Sequence, residues 1–354
     1  MQRERRKKSK GNLVNQLPWQ EVMTEFSALE IISEDEIESI HHASLDVLER
    51  VGMKILHQDA RKIFKDAGLD VDESSQMVHF DRNLVLSNIS KAPKEFTLRA
   101  RNPKRDLKIG GKRIVFSAIG GPAFCSDLDR GRRRGTFEDL CNYMKIIQSL
   151  NIIHQEGGMA FETIELPSST RHLDFYLAQF QLLDKNCQSS SMGKVRTKDC
   201  IDMHRIAFDC TREELLENPS VMGIINTNSP MQLDIPMSEA TIELARAGQA
   251  VCVTPFTLSG AMAPIKQAGT LVQQNAEILA VVTLTQLVRS SAPIIYGSFS
   301  TNVDMRTGSP AFGTPEYIRS TIAGGQLARF YGFPYRSSNT NASNSVDAQA
   351  IYES

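Results

Sequence analysis

The sequence has no CxxC pair; its six cysteines stand at 125, 141, 187, 200, 210 and 252, scattered along 354 residues. That spacing argues against a disulfide framework and fits reduced, buried thiols. No apolar run approaches the roughly 20 residues that a membrane-spanning helix needs, and the N-terminus lacks the apolar core of a secretory signal. Charge of one sign is missing too: the formal net charge is -1, so no global field favours nucleic acid or an anionic membrane. Neither GxGxxG nor a P-loop follows any strand pattern, and HExxH and GxSxG are absent. The expectation is a soluble, cytoplasmic protein that binds neither nucleic acid nor membrane and has no metal site of its own.

Three stretches can be told apart. Residues 1–32 hold a basic run, RERRKKSK, and a lead-in, and read as a solvated, disordered tail. Residues 33–110 read as an N-terminal α+β subdomain. Ser33 and Glu36 form a capping box there, followed by Ile37, Ile40, Ser44, Val47, Leu48 and Val51 on one helix face, with Gly52 as the stop. A shorter helix from Asp59 and another over 81–90 lie among strands at 78–80 and 96–98. His41, His42 and His57 suit helix-surface or capping roles, since no second ligand pair stands at zinc-like spacing.

From 111 to 354 strand and helix patterns alternate. Strands are expected at 114–118, 152–155, 186–191, 221–226, 251–255, 293–297 and 333–336, each followed by a helix pattern. Repeated βα units with no phosphate fingerprint predict a (β/α)8 barrel of the TIM type, with about seven of eight units present and the last cut off at the C-terminus. In such a barrel the chemistry sits on the loops after the strands. The candidates are then Gly120 and Gly121; His154 and Gln155; Ser189, Ser190 and Ser191; Asn226, Asn228 and Ser229; Thr254, Phe256 and Thr257; Tyr296, Ser298 and Phe299; Tyr335 and Arg336.

No strand end carries paired carboxylates, which disfavours glycoside hydrolysis, and none carries a Schiff-base lysine. Cys200 and His204 share a face of a helix outside the barrel and read as packing. The rim instead mixes rings (Phe124, Phe161, Phe256, Tyr296, Phe299, Tyr335) with neutral hydrogen-bonding groups. Aromatic faces with few charges suit a quaternary ammonium; barrel filling is the alternative for those rings.

Several segments resemble the trimethylamine:corrinoid methyltransferase family. The most specific are AMAPIKQAGTLVQQNAEILA from Ala261, PIIYGS from Pro293, DMRTG from Asp304 and GTPE from Gly313. Collinear support comes from the stretches beginning at His41 and Phe96, from NSPMQ at Asn228 and from DAQAIYE at Asp347. The resemblance runs from about residue 33 to Ser354 and carries no encoded pyrrolysine. It implies a barrel enzyme that moves a methyl group from a methylated amine to Co(I) of a corrinoid carried on a separate protein, and a chain longer than this one. A C-terminal truncation follows from it, either as a fragment or as a gene whose in-frame amber codon is read as a stop.

On this footing the ammonium is expected against Phe256 and Tyr296, with Asn226 and His154 orienting the substrate or lining the floor. Arg336 would receive a substrate carboxylate. Asp304 and Arg306 are expected to pair with each other and shape their loop. No covalently bound cofactor is expected, and homo-oligomer formation stays open. The rival expectation is a non-catalytic barrel fragment that only binds a partner protein.

Overall fold

A computed structural model describes residues 15–122, 124–189, 192–340, 343 and 347–353. At its centre is a six-stranded sheet, all parallel: Gln155–Glu156, Asn186–Ser189, Val221–Ile225, Ala250–Val253, Ile294–Gly297 and Tyr335–Arg336, in that spatial order. Strands that are neighbours in the chain are neighbours in space. Parallel pairing demands a crossover between each pair, and the crossovers are the helices 171–182, 193–207, 235–246, 267–288 and 315–331. Each of these helices packs on the next, and Phe137–Ser149 packs on the first of them. They therefore form one row on one face of the sheet. A doubly wound sheet would divide them between two faces, so the described architecture is an open portion of a barrel wall.

The wall's first member differs from expectation. Instead of a strand over 114–118, Arg113–Ile114 pairs antiparallel with Val22–Met23, and only Ser117 bridges in parallel to Gln155. The competitor is the lead-in, which is extended and bonded from Gln16 onward rather than free. Gln16 Nε2 donates to Ser149 O (2.7 Å) and Asn151 Nδ2 to Leu17 O (2.9 Å). Residues 1–14 lie outside the described residues.

Alternation along the strands divides the sheet into two faces. Val253 and Tyr296 are register partners, as are Tyr296 and Tyr335, and all three point toward the helices. Cys252 pairs with Ile295 and Ile224 with Cys252, and these line the opposite, concave face. Met222, Ala250, Cys252 and Ile295 are packed there with Leu98 and Leu107 of the hairpin Phe96–Leu98/Leu107–Ile109. That hairpin thus plugs the end of the concave face where the strands begin.

Helix Gln267–Val288 is the centre of the helical layer. It lies between the sheet and the N-terminal helices Glu34–Arg50, Gln58–Asp66 and Arg82–Ile89. Being covered on all sides, it buries sixteen of its 22 residues and shows no single apolar stripe. The Ser33–Glu36 capping box forms as the sequence predicts, and Thr136 with Asp139 makes a second. The N-terminal portion is sewn into the rest: strand Met53–Ile55 pairs in parallel with Gln232–Leu233, from the loop after the third strand of the main sheet.

Candidate functional site at the strand C-termini

Thr254 and Gly297 stand at the concave-side ends of adjacent strands, and a Cβ on Gly297 would lie 2.0 Å from Thr254 Oγ1 and 2.7 Å from Val253 O. Only glycine allows that approach. On the far side of Gly297 its register partner is Arg336, so Arg336 shares the concave face with Thr254 and Cys252. Arg336 is half-buried and makes no side-chain hydrogen bond or ion pair with a described residue. Burial raises the pKa of the Cys252 thiol and the Arg336 charge pulls it back. Asn226 lies exposed on the other flank, two residues past Ile224 of the same face.

Above this floor three rings converge. The centroids of Phe256 and Phe299 are 5.5 Å apart, those of Phe299 and Phe312 5.0 Å, and those of Phe256 and Phe312 6.2 Å. Tyr317 closes the cluster edge-on to Phe312 at 5.6 Å. Phe256, Phe299 and Phe312 are each half-buried, so part of the cluster's surface is open.

The rings are held from behind by a set of buried amides and one acid on helix Gln267–Val288. Gln274 Oε1 accepts from Ser298 Oγ (3.0 Å) and from Ser300 Oγ, and Ser300 in turn bonds Thr257. The loops carrying Phe256 and Phe299 are thereby fixed from one side chain. Glu277, with 0% exposure, accepts from Thr227 Oγ1, from Ser229 Oγ (2.7 Å), from the Met231 amide (2.9 Å) and from Gln273 Nε2 (3.0 Å). It fixes the loop that follows Asn226. Sequence reasoning missed Gln273, Gln274 and Glu277 as positioning groups, and Phe312 as a ring. The available signal was the polar run QQNAE inside an otherwise apolar helix.

Other strand ends hold amides. Gln155 Nε2 donates to Asn186 Oδ1 (2.6 Å), and Gln188 Nε2 donates to Gln155 Oε1 (3.0 Å) and Ser117 Oγ (2.9 Å). On the helix-facing side, Glu156 accepts from the Gly158 amide (3.0 Å) and from Gln179 Nε2 (2.6 Å), while its Oε1 has no partner. Complete burial pushes its carboxyl up to about 8, so it is largely protonated at neutral pH.

Two expected site residues lie elsewhere. Tyr296 has 0% exposure and faces the helices, its hydroxyl donating to Asn275 Oδ1 (3.1 Å) and accepting from Gln274 Nε2 (3.4 Å). It is a wall of the helical layer rather than a ring of the open cluster. His154 precedes its strand and so lies at the wrong end. Its Nδ1 accepts from the Phe116 amide (3.0 Å) and its Nε2 meets Gln20 O (3.1 Å), which fixes the Nε2–H tautomer. Burial lowers its pKa. It is a neutral clamp for the lead-in.

Among the other rings, Tyr335 donates to Thr321 O (2.6 Å) in the helical layer and Phe161 is buried against Gly135. Phe124 is covered by the chain's own Arg132, 3.9 Å from its centroid. Asp304 shapes its loop as expected, but through the amides of Arg306 (2.8 Å) and Thr307 (3.0 Å) rather than the Arg306 guanidinium. Ser189 is buried and faces the helices beside Tyr176; Ser190 and Ser191 lie outside the described residues.

A groove of about 660 Å³ lies at the opposite end, among residues such as Arg99, Pro219, Gly248 and Pro293 that precede the strands. Among the described residues no group of three or more His, Cys, Asp or Glu is placed to hold a metal ion, and no helix is long and apolar enough to cross a membrane.

A parallel sheet with its helices on one face, and an aromatic and amide cluster at the strand C-termini, defines an α/β protein of the barrel-wall type. The sequence profile described as trimethylamine methyltransferase (MTTB) matches residues 1–354, and the chain belongs to that family. It is 38% identical to the glycine betaine methyltransferase of Desulfitobacterium hafniense strain Y51, over 92% of this chain and 67% of that one. It is 31% identical to the trimethylamine methyltransferase MttB of D. hafniense strain DCB-2, over 91% of this chain and 65% of that one. The proline betaine:corrinoid methyltransferase of Eubacterium limosum is 28% identical, over 86% and 64%. The chain thus spans about two thirds of the length of these relatives. Among solved structures, the monomethylamine methyltransferase MtmB of Methanosarcina barkeri superposes with a TM-score of 0.53 at 12% identity, over 86% of this chain and 61% of that one.

Proposed function

We propose that this protein takes a methyl group from a quaternary or tertiary methylated amine and delivers it to Co(I) of a corrinoid presented by a separate protein. The reading takes the six-stranded parallel sheet as part of the wall of a (β/α)8 barrel. The observation that carries the reading is the open cluster of Phe256, Phe299 and Phe312 at the strand C-termini of a member of this family.

The chemistry asks little of the protein in proton transfer. A quaternary nitrogen already bears its positive charge. As the methyl carbon accepts an electron pair from the cobalt, the C–N bond breaks, its pair stays on nitrogen, and a neutral amine leaves. No general acid is needed there, and a tertiary amine leaves neutral in the same way when it enters as its ammonium ion, so a site of rings and amides suffices. Its work is orientation of one N–CH3 bond and exclusion of water. The three rings supply an electron-rich surface for the ammonium; Thr254 and Asn226 supply neutral contacts around it.

The test mixes the protein with a corrinoid protein reduced to Co(I) and with glycine betaine, proline betaine, choline or trimethylamine, following the cobalt spectrum and the demethylated amine. Methylation of the partner with one equivalent of demethylated product supports the reading. A partner that an unrelated transferase methylates, but that this protein leaves untouched with every amine, defeats it in favour of a binding-only role.

A further inference from the structure

We infer that His41, on helix Glu34–Arg50, is a positioning residue for the ring cluster, acting through Tyr331, Asn275, Tyr296 and Gln274 and only as the neutral imidazole. The inference rests on the methylated-amine reading and adds a control over that site from the N-terminal portion of the chain.

The connection is an unbroken series of hydrogen bonds through the helical layer. His41, which the sequence suits to a helix surface, is buried instead, and its Nδ1 stands 2.8 Å from the Tyr331 hydroxyl. Asn275 Nδ2 donates to that hydroxyl (2.8 Å), and Asn275 Oδ1 accepts from the Tyr296 hydroxyl (3.1 Å). Gln274 Nε2 donates to Tyr296 (3.4 Å), and Gln274 Oε1 accepts from Ser298 and Ser300, which flank Phe299. Ser300 also bonds Thr257, the neighbour of Phe256. Asn275, Gln274 and Tyr296 are fully buried, so water does not replace a link that is lost.

Main-chain carbonyls fix the sense of this series. Ser44 Oγ lies 2.7 Å from Ile40 O and 3.1 Å from Val272 O, and a carbonyl can only accept. With its proton committed there, Ser44 accepts from Asn275 at 3.0 Å, which puts the amide nitrogen on that side. The second proton of Asn275 Nδ2 goes to Tyr331. The Tyr331 hydroxyl therefore donates its own proton to His41 Nδ1, which must be bare. Every donor points from the rings toward His41. A proton on Nδ1 would set two donors against the Tyr331 oxygen and leave the hydroxyl proton without an acceptor, a costly arrangement away from water. Tyr331 and Asn275 must then turn, and Gln274 loses the partner that holds it under the two ring-bearing loops.

The charges around His41 favour the neutral ring. Burial, then His42 on the same helix and Arg82 on helix Arg82–Ile89, hold its pKa below the usual 6.5. Asp46 and Glu49 of its own helix are bonded to Arg82, and His79 of strand Met77–His79 meets Glu49 O. Helix Pro315–Tyr331 sets Phe330 and Tyr331 against the ring and turns Arg329 to Leu29 O. The charged residue of helix Gln267–Val288, Glu277, faces the loop after Asn226. The series is thus intact at neutral pH, and the disrupting proton arrives only on acidification.

The test uses the full chain with 4-fluorophenylalanine at position 299, followed by fluorine NMR and by calorimetric binding of tetramethylammonium from about pH 7.5 to about pH 5. The fluorine resonance should titrate, and the cation should bind at least about threefold more weakly at the acid end. His41→Asn keeps an uncharged acceptor at the place of Nδ1 and should abolish both pH dependences. Tyr331→Phe cuts the series and should give weak binding at every pH. A wild-type chain whose fluorine signal or affinity does not change with pH overturns the inference, as does a His41→Asn chain that titrates like the wild type; both leave the methylated-amine reading standing. If tetramethylammonium binds at no pH, the methylated-amine reading falls, and the fluorine titration alone decides whether His41 sets the rings.

Discussion

At Phe256 and Tyr296 similar rings meet different fates, because one lies in the loop past its strand while the other sits within a strand, where alternation fixes its face. Phe256 lies past the end of its strand, half-buried beside Phe299 and Phe312, while Tyr296 is matched to Val253 and turns to the helices. The sequence showed which residues end strands but not which face they take, since a strand buried on both sides has no polar alternation to read. Replacing Phe256 by Ala should weaken choline by about 1–2 kcal/mol, and its neutral isostere 3,3-dimethyl-1-butanol by less. Equal losses in a calorimetric comparison would remove the cation–π role. A second residue-scale expectation concerns Glu156. Its carboxyl, raised to about 8 when folded, holds a proton that the unfolded chain releases near 4.5. The folded state therefore binds more protons across that window, and stability falls as pH rises through it. Between pH 5.5 and 8 the loss should be on the order of 3 kcal/mol. In urea titrations at the two pH values, Glu156→Gln should flatten the difference; an unchanged slope would show that another group sets it.

Helix Gln267–Val288 is the element on which the site depends, although none of its side chains belongs to the open ring cluster. Gln274 holds the loops after the fourth and fifth strands of the sheet, and Glu277 holds the loop after the third. Glu277→Ala should cost about 3 kcal/mol or more, because it strands several buried donors at once. Hydrogen exchange at the Met231 amide should then accelerate more than exchange in the central strands, a comparison that separates loss of the loop from general loosening. The helix itself was readable from its length and apolar content, and QQNAE was visible within it. What could not be read was the direction of those polar groups, because a helix covered on every side offers no stripe to orient it. His154 shows a similar limit. Its position one residue outside the strand reverses which end of the sheet it occupies, and boundaries are the weakest part of pattern reading.

At the scale of the molecule, the alternation of strand and helix patterns was legible and the single row of helices bears out a parallel α/β arrangement. The exception is the beginning of the wall, where the lead-in pairs with Arg113–Ile114 and leaves only a bridge at Ser117. Long-range competition of that kind has no signature in a local window. Protection from exchange should be graded across the sheet: slowest in the four inner strands from Asn186–Ser189 to Ile294–Gly297, each flanked by strands on both sides, and fastest in Tyr335–Arg336, which has one described neighbour and no bridge beyond it. A uniform rate across all six strands would contradict it. The pairing of Met53–Ile55 with Gln232–Leu233 has one more consequence. Lys54 N takes Met231 O and Leu56 N takes Leu233 O, so one lip of the opening is a seam shared by both portions of the chain. Cutting the polypeptide near residue 110 and discarding the first piece would unpick that seam, leaving the lip untethered on its outer side even where the remaining strands kept their order.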